Sequence, residues 1–305
     1  MEQLAPLYPQ PECKAIAVRL LKELIAGYKG YEHMVEPATE LDTFQLEEKS
    51  SQQPGKPGTE KYLLLCVERL ATGEPLQYVM GHEWFCGHKF NVAPGVLIPR
   101  PETEELVYKA IDLATVAAQQ HTPEKPLRIL DICTGSGCIA WSMAAAFPQA
   151  EVYACDISQQ ALEIATTQQI QCADGTPAKV KFMECDILSP QAQQKIAQEC
   201  GEAQFDIIIS NPPYVCNSEK SQMRENVLAH EPSIALFVPD SDPLKFYRAI
   251  AQLSGKILSP GGTLLFEINE RFGAETAQMM QQMGYTNRQV LQDIFGKDRG
   301  VVGIA

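Results

Sequence analysis

The tetrapeptide Asn211-Pro212-Pro213-Tyr214 is the part of this chain whose residue types best suit chemistry on a small polar group. It follows the apolar run of residues 205–210, which is typical of a buried strand. Two consecutive prolines cannot continue a central strand, because each lacks an N–H group and has a fixed φ. The Asn211 amide and the free carbonyls would then lie at the carboxyl end of a strand, where open α/β sheets bind ligands. They suit a substrate that is a planar NH₂ donor; a plain turn with an asparagine is the competing interpretation.

A second group of small residues lies between the apolar run 128–132 and a helical stretch that starts near residue 137. Small residues let the backbone approach a ligand, and the N-terminus of a helix presents free N–H groups. We therefore expect this loop to bind a cofactor through Cys133, Thr134, Gly135, Ser136 and Gly137.

Acidic residues follow the next two predicted strands. Asp156 ends the run 151–156, where its carboxylate can accept hydrogen bonds from two ribose hydroxyls. A helix N-cap is the competing interpretation of Asp156, although Ser158 could fill that role instead. Asp186, beyond the run 180–184, is placed to bind the exocyclic amine of a purine.

These residues favour S-adenosylmethionine over NAD as the cofactor. Cys133 and Ser136 break the G-x-G-x-x-G spacing, which makes a pyrophosphate cradle less natural. S-adenosylmethionine has no phosphate and needs only close backbone and an acidic contact to the ribose.

The elements that must position these residues alternate in the second part of the chain. Strands separated by helices imply a doubly wound, Rossmann-like parallel sheet of the α/β class. We predict helices at 137–147 and 158–169, and strands at 128–133, 151–156, 180–184, 205–210 and 263–268. The last two strands, at 290–293 and 300–304, have no helix between them and should therefore be antiparallel.

The first part of the chain reads as helical. Ala15, Val18 and Leu21 begin an amphipathic face, and residues 50–58 have the composition of a flexible loop. A hairpin is predicted at 83–92. The proline-bracketed residues 98–104 are either a stiff linker or a lid over the following domain. We predict three regions: a helical substrate-recognition domain at 1–74, a β-hairpin linker at 75–102 and an enzymatic domain at 103–305.

Composition narrows the partners and the location. The net charge of −13 favours a protein or small-molecule substrate over DNA or RNA, which are usually gripped by a basic face. No apolar run approaches the roughly 20 residues that cross a bilayer, and the first residues lack the features of a signal peptide. We expect a cytoplasmic protein that does not bind membranes. The ten cysteines show no metal-ligand spacing, so we expect no metal site and mostly buried thiols.

Taken in order, these motifs resemble the HemK/PrmC family, the N5-glutamine methyltransferases of peptide-chain release factors. The resemblance covers the chain from about residue 75 to the C-terminus. Its matching segments are Pro75 to Tyr78 with Gly81, Leu97 to Glu104, Asp131 to Gly137, Asp156, Asn211 to Tyr214, and Glu231-Pro232 with Ala235-Leu236. Asn-Pro-Pro-Tyr alone also occurs in adenine-N6 and ribosomal methyltransferases, so the segments near Arg100 and Glu231 narrow the assignment.

The resemblance implies a helical N-terminal domain, a β-hairpin linker and a seven-stranded methyltransferase domain. It also implies S-adenosylmethionine as donor and the glutamine of a Gly-Gly-Gln motif as acceptor. Two residues depart from the family pattern. Cys133 replaces a common glycine, which is tolerable only if its φ is negative and its side chain faces the sheet. Ile187 replaces a common aromatic residue and would cover the adenine with less stacking area.

We hypothesise that the Asn211 side-chain oxygen and the Pro212 carbonyl accept the two N–H bonds of the substrate amide. Tyr214 would pack on the amide plane, and Pro213 completes the site. Asn211 is also expected to contact the cofactor. Two other functions stay open: a nucleic-acid adenine methyltransferase, which would need a basic channel, and an S-adenosylmethionine-binding adaptor without turnover. An NAD-dependent oxidoreductase is a more distant alternative.

Overall fold

The computed structural model describes residue 4 and residues 7–26, 59–201 and 204–305. The chain groups into two compact units, one of residues 1–81 with 225–230 and one of residues 82–224 with 231–305. This grouping does not test the functional division at residues 74 and 102, which stays a prediction. The predicted flexible loop at 50–58 lies outside the described residues.

The first unit is helical where it is described, with α1 at Gln10–Ala26, α2 at Thr59–Ala71, α3 at Leu76–Met80 and α8 at Glu225–His230. The helical character of this part is therefore confirmed, but the predicted face of α1 is wrong. The side chains that α1 buries are Cys13, Ile16 and Leu20, whereas Ala15 is exposed and Val18 is only half-buried. The buried residues still recur at helical spacing, so the prediction is wrong only about which side of α1 packs against α2.

The second unit opens with a two-stranded hairpin, as predicted. Strands β1 (His82–Phe85) and β2 (His88–Asn91) pair antiparallel. Cys86 and Gly87 form the turn with φ values of 47° and 76°, the backbone twist that suits a two-residue hairpin loop. Phe85 and Phe90 carry the hairpin into the core, where their rings meet edge to face with centroids 6.0 Å apart.

A seven-stranded sheet forms the centre of this unit and confirms the predicted fold class. Its order is β10-β11-β9-β6-β3-β4-β5. The five strands from β9 to β5 are parallel, and β11 pairs antiparallel with both β9 and β10. The strands span β3 Arg128–Ile132, β4 Glu151–Asp156, β5 Lys181–Glu184, β6 Phe205–Ser210, β9 Leu258–Glu267, β10 Thr286–Gln292 and β11 Asp298–Ile304. A further short parallel pair consists of β7 Val215–Cys216 and β8 Phe237–Val238.

Helices cover both faces of the sheet. They are α4 Pro101–Ala118, α5 Cys138–Ala146, α6 Gln159–Thr166, α7 Ala192–Cys200, α9 Ser233–Leu236, α10 Lys245–Ile257 and α11 Gly273–Gln282. Successive residues of β6 alternate between two core clusters, with Ile207 and Ile209 packed beside α4 and α5 and Ile208 beside α7 and α10. Because both faces are buried, the parallel strands are continuous apolar runs rather than alternating ones.

Element bounds differ from the predicted ones by a few residues. Helix α6 ends at Thr166 rather than 169, and β9 begins at Leu258 rather than 263. None of the helices in the described ranges combines the length and apolar character that a bilayer crossing requires.

Candidate active site

A cavity of about 280 Å³ lies at the carboxyl ends of the parallel strands, where open α/β sheets bind ligands. It brings together predicted site residues from four strand ends. Those that line it are Cys133, Thr134, Gly135, Ser136, Asp156, Asp186, Ile187, Asn211 and Pro213. Gly137, Pro212 and Tyr214 belong to the same loops but are not part of this lining.

The loop from β3 to α5 adopts the tight turn that its glycines permit. Gly135 and Gly137 have φ values of 54° and 82°, in the left-handed region. A Cβ on Gly137 would lie 2.9 Å from Cδ1 of Trp141 and 3.2 Å from Cβ of Ala165. A Cβ on Gly135 would meet no atom within 4 Å. Gly137 thus provides close packing under the loop, whereas Gly135 faces open space.

The expectation for Cys133 is wrong in its backbone. Its φ is +62°, so the residue occupies the left-handed region that glycine adopts without strain. The turn that leaves β3 requires this conformation whichever residue occupies the position. The side chain is half-buried and packs against the core cluster that contains Ile132. Burial raises the pKa of the Cys133 thiol well above its usual value, so the group acts as a small apolar side chain.

Asp131, the residue two positions before this turn, is fully buried and organises it. Its Oδ2 accepts hydrogen bonds from Thr134 Oγ1 at 2.5 Å and from Ala140 N at 3.2 Å. Within the described part of the chain, its Oδ1 has no hydrogen-bond partner. Burial therefore raises the pKa of Asp131 to about 7.

The raised pKa of Asp131 should make stability depend on pH. The unfolded chain releases this proton near pH 4 and the folded chain only near pH 7. The free energy of unfolding therefore falls as pH rises between these values. Asp131→Asn can keep both accepted hydrogen bonds without the charge. We expect the free energy of unfolding of Asp131→Asn, minus that of the parent protein, to increase by about 1–3 kcal/mol as pH rises from about 4 to about 7. Urea unfolding at several pH values measures this difference. A constant difference across that range would contradict the assignment.

Asp156 holds the cofactor loop against the end of β4. Its Oδ2 accepts the Gly135 N–H at 2.8 Å, and its Oδ1 accepts the Ser158 N–H at 2.9 Å. Ser158 is the cap of α6, because its hydroxyl accepts the Ala161 N–H at 3.2 Å. The N-cap role therefore belongs to Ser158, and Asp156 is left to line the cavity. Burial raises the pKa of Asp156 above its ordinary value.

At the end of the cavity beyond β5, apolar side chains surround the carboxylate of Asp186. Asp186 accepts the Leu188 N–H through Oδ1 at 2.9 Å, which fixes its side chain at the rim. Ile187 is buried and lines the wall together with Ile157 and Phe246. The ring of Phe246 comes from α10, a helix that was not predicted from the sequence. This ring supplies an aromatic surface that Ile187 lacks.

The opposite end of the cavity carries a buried polar network. Asn211 Nδ2 donates to Thr103 Oγ1 at 3.3 Å, and Thr103 Oγ1 donates to Glu267 Oε2 at 2.5 Å. Tyr214 Oη donates to the other oxygen, Glu267 Oε1, at 3.1 Å. Sequence reasoning missed Glu267. A signal was present, because Glu267 is an acidic residue near the end of the predicted strand 263–268.

The segment before α4 forms one wall of the cavity. Val96, Leu97, Pro99 and Arg100 line it. Glu231 fixes this segment, since Oε1 accepts from Arg100 at 2.6 Å and Oε2 accepts the Ile98 N–H at 3.0 Å. The Glu231 side chain is 1% exposed. Movement of the segment as a lid stays a prediction.

The lining residues fit S-adenosylmethionine better than a dinucleotide. Among the described residues around the cavity, Arg100 alone is basic, and its guanidinium is bound to Glu231. Cys133 and Ser136 stand where a pyrophosphate-binding loop has its glycine spacing, whereas a sulfonium compound with an adenosine group carries no phosphate and needs no cation. The open space at Gly135 allows a ligand to approach the backbone. The carboxylates of Asp156 and Asp186 suit the ribose hydroxyls and the purine amine of that molecule, and the apolar wall suits its adenine.

Cysteine placement agrees with the prediction of buried thiols. All ten cysteines are free; eight are buried, and Cys86 and Cys133 are half-buried. Across the described ranges, no group of histidine, cysteine and acidic residues is arranged to hold a metal ion.

Comparison with known proteins identifies the family. The family model described as Methyltransferase small domain matches residues 106–234. A release factor glutamine methyltransferase of Bacteroides thetaiotaomicron is 48% identical over 76% of this chain and 77% of its own. One of Flavobacterium psychrophilum is 38% identical over 98% of this chain and 94% of its own. A crystal structure of a release-factor-specific protein-(glutamine-N5) methyltransferase from Alicyclobacillus acidocaldarius aligns with a TM-score of 0.42 and 23% identity, covering 70% of this chain and 98% of that chain.

The sequence identity and coverage of the two relatives agree with the motif resemblance and with the cavity at the strand ends. The chain belongs to the release factor glutamine methyltransferase family.

Proposed function

We propose that this chain transfers a methyl group from S-adenosylmethionine to the side-chain nitrogen of the glutamine in the Gly-Gly-Gln motif of peptide-chain release factors. The observation that carries the proposal is the orientation of Asn211 at the cavity. Its Nδ2 donates to Thr103, so its Oδ1 is left to accept a hydrogen bond from a substrate. The Asn211 side chain can therefore hold an amide NH₂ group beside the donor site.

Two acceptors align the substrate nitrogen in this mechanism. Asn211 Oδ1 takes one N–H bond and the Pro212 carbonyl takes the other. Pro213 keeps the backbone from continuing β6, which leaves that carbonyl free of strand pairing. An amide nitrogen is a poor nucleophile because its lone pair is delocalised into the carbonyl. Two accepted hydrogen bonds favour a pyramidal nitrogen with a directed lone pair, and such alignment supplies much of the acceleration.

The bound donor supplies a methyl group that is already activated by the positive charge on sulfur. The protein therefore needs no strong base before transfer, because the nitrogen proton becomes acidic once the nitrogen is alkylated. Asp156 and Asp186 would bind the adenosine part of the donor. Cys133, Thr134, Gly135, Ser136 and Gly137 form the loop that would approach it, and Ile187 would cover the adenine.

A labelling experiment tests the proposed substrate. The protein is incubated with donor tritiated in its methyl group and with release factor, tRNA, ribosomal RNA or DNA. We expect label on the release factor alone, and none when the Gly-Gly-Gln glutamine is replaced by alanine. Label on a nucleic acid would support an adenine methyltransferase. Donor binding with no label on any of the four would support an adaptor.

The same chemistry suggests the partner and the location. A net charge of −13 disfavours a nucleic-acid partner, so the release factor is proposed as the direct substrate. We propose a cytoplasmic location with no membrane partner, because free release factors act in that compartment. The N-terminal helices are proposed to form the substrate-recognition domain.

Asp156→Ala tests the donor site. The variant loses the ribose acceptor, the contact that holds the Gly135 loop and the contact to the Ser158 N–H. We expect S-adenosylmethionine to bind at least about tenfold more weakly, since hydrogen bonds to charged groups contribute roughly 1.5–3 kcal/mol. Isothermal titration calorimetry measures the change. Ser158→Ala is the control, because it removes the α6 cap from the same cavity lining but keeps the Asp156 carboxylate. Equal weakening in both variants would mean that Asp156 has only a structural role.

A further inference from the structure

Glu267 is a buried charged residue that the proposed mechanism does not yet use. It ends β9, where the preceding residue, Phe266, pairs with Ser210 of β6. Asn211 follows Ser210, so Glu267 and Asn211 leave neighbouring strands at the same level. The Glu267 residue is 3% exposed. Burying a carboxylate is energetically costly unless its oxygens are hydrogen-bonded. Here both oxygens of Glu267 accept hydrogen bonds, one from the Thr103 hydroxyl and one from the Tyr214 hydroxyl.

We propose that Glu267 is a positioning residue that determines which way the Asn211 amide points. This inference rests on the proposed function, since it concerns the same acceptor site. Glu267 does not line the cavity, and it acts on the substrate only through Thr103, Asn211 and Tyr214.

The direction of the hydrogen bonds carries the inference. An ionised carboxylate can only accept, so Thr103 must donate its single proton to Glu267. The Thr103 oxygen can then only accept from its other neighbour, which is the Asn211 side chain. That neighbour must present its NH₂ group to Thr103, and its Oδ1 is left for the substrate amide. The opposite amide orientation would direct NH₂ at a substrate NH₂ group, where no hydrogen bond can form.

Tyr214 is fixed by the same carboxylate and by a second contact. Its hydroxyl donates to Glu267 Oε1 at 3.1 Å, and its backbone carbonyl accepts from Asn269 Nδ2 at 3.3 Å. The ring and the backbone of Tyr214 are therefore both held. Glu267 thus links the last residue of the Asn211–Tyr214 motif directly, through Oε1, and the first residue indirectly, through Oε2 and the Thr103 hydroxyl.

Protonation of Glu267 would release this constraint. A neutral carboxyl group can donate to Thr103, whose hydroxyl could then donate to Asn211 and reverse the amide. Burial raises the pKa of Glu267 above its usual value, while the Thr103 and Tyr214 hydroxyls oppose this rise. The other groups that face it are Glu102 on α4, Arg299 on β11, Tyr247 on α10 and Cys138 on α5. Glu102 raises the pKa of Glu267 and Arg299 lowers it.

The test compares Glu267→Gln with two variants of Thr103, using release factor as substrate. Glutamine has one acceptor atom, so one of the two hydroxyls loses its acceptor. Thr103→Val removes the hydroxyl at nearly constant volume, whereas Thr103→Ser keeps it. We expect kcat to fall about tenfold or more in Glu267→Gln and Thr103→Val, equivalent to ~1.4 kcal/mol. Thr103→Ser should stay within about threefold of the parent, because the hydrogen-bond direction is preserved.

Two readouts separate positioning from general damage. S-adenosylmethionine affinity by calorimetry should change little in Thr103→Val, although its kcat falls. Thr103→Val also takes a hydrogen bond from a buried carboxylate and should lower the midpoint of urea unfolding, so kcat is compared under conditions in which urea unfolding shows both Thr103 variants to be folded. The ratio of parent to Glu267→Gln kcat should shrink as pH falls, because both proteins then carry a neutral side chain at this position. Asp131 and Asp156 also titrate, but they are common to both proteins and cancel in the ratio.

Several outcomes would overturn the inference. Parent-like kcat in Thr103→Val, a ratio that is constant with pH, or equal losses in Thr103→Ser and Thr103→Val would each remove the directional role. If Glu267→Gln fails to fold, the comparison of the two Thr103 variants decides alone. A parent protein that labels no release factor would instead contradict the proposed function, so the two failures are distinguishable.

Discussion

Asn211→Ala should reduce methyl transfer to the release factor by about a hundredfold. The variant loses the side-chain oxygen that accepts a substrate N–H bond, and removal of one preorganised hydrogen-bonding group from a transition state costs about 10²–10³ in kcat. It also leaves the Thr103 hydroxyl without the donor that now faces it at 3.3 Å. Tritium transfer at saturating donor and varied release factor would measure kcat and KM separately.

The matched control for this variant is Asn217→Ala. Asn217 is an exposed residue in the 3₁₀ turn just after β7, so the same atoms are removed outside the cavity. We expect Asn217→Ala to keep parent kcat and both variants to keep parent affinity for S-adenosylmethionine. Near-full activity of Asn211→Ala would refute the role given to its amide, and the proposed alignment of the substrate nitrogen would fail with it.

The parts of this molecule that were predictable from sequence are those governed by local rules. The strand at 205–210 followed by two prolines is correct because proline cannot pair within a sheet. The alternation of apolar runs and helices predicted the parallel sheet, and the lack of a helix between the strands predicted at 290–293 and 300–304 predicted the antiparallel last pair. The predicted residues at four strand ends line one cavity because parallel strands present their carboxyl ends at the same edge.

The parts that were missed depend on contacts between segments far apart in the chain. Glu267 and Thr103 are 164 residues apart and meet only because β9 pairs with β6 and α4 packs on the face of these two strands. No periodicity reveals such a pair. Phe246 enters the cavity from α10, a helix whose buried face at Tyr247, Ile250, Ala251 and Ser254 has helical spacing that could have been recognised.

Cys133 shows a different limit of sequence reading. Residue type favoured a negative φ, but the turn from β3 into α5 imposes +62°. The turn is over-determined by its surroundings: Thr134 N donates to the Cys155 carbonyl at 3.0 Å, and Gly135 N donates to Asp156. Tertiary contacts of this kind can hold a residue in a conformation that costs about 1–2 kcal/mol. Local propensity cannot predict the outcome when neighbouring strands fix the loop.

The same loop gives the largest expected effect on stability, at Gly137. An alanine there must adopt a φ of 82° and place its Cβ 2.9 Å from Trp141. The left-handed backbone costs about 1–2 kcal/mol, and overpacking a filled core costs roughly 1–3 kcal/mol more. We expect Gly137→Ala to lower the free energy of unfolding by about 2–5 kcal/mol, measured by urea denaturation. Trp141 cannot retreat freely, because its Nε1 donates to the Ala165 carbonyl at 2.9 Å.

Gly135→Ala is the matched control, since it shares the backbone strain without the steric conflict. Its φ is 54° and its Cβ would meet no atom within 4 Å. We expect it to lose only the backbone part, about 1–2 kcal/mol. Because Gly135 lines the cavity, its added methyl group should instead weaken S-adenosylmethionine binding. Equal destabilisation of the two variants would mean that Trp141 and Ala165 can move aside, and the packing role of Gly137 would then be excluded. A larger loss in Gly137→Ala, with the larger loss of donor affinity in Gly135→Ala, would assign one glycine to the fold and the other to the cofactor.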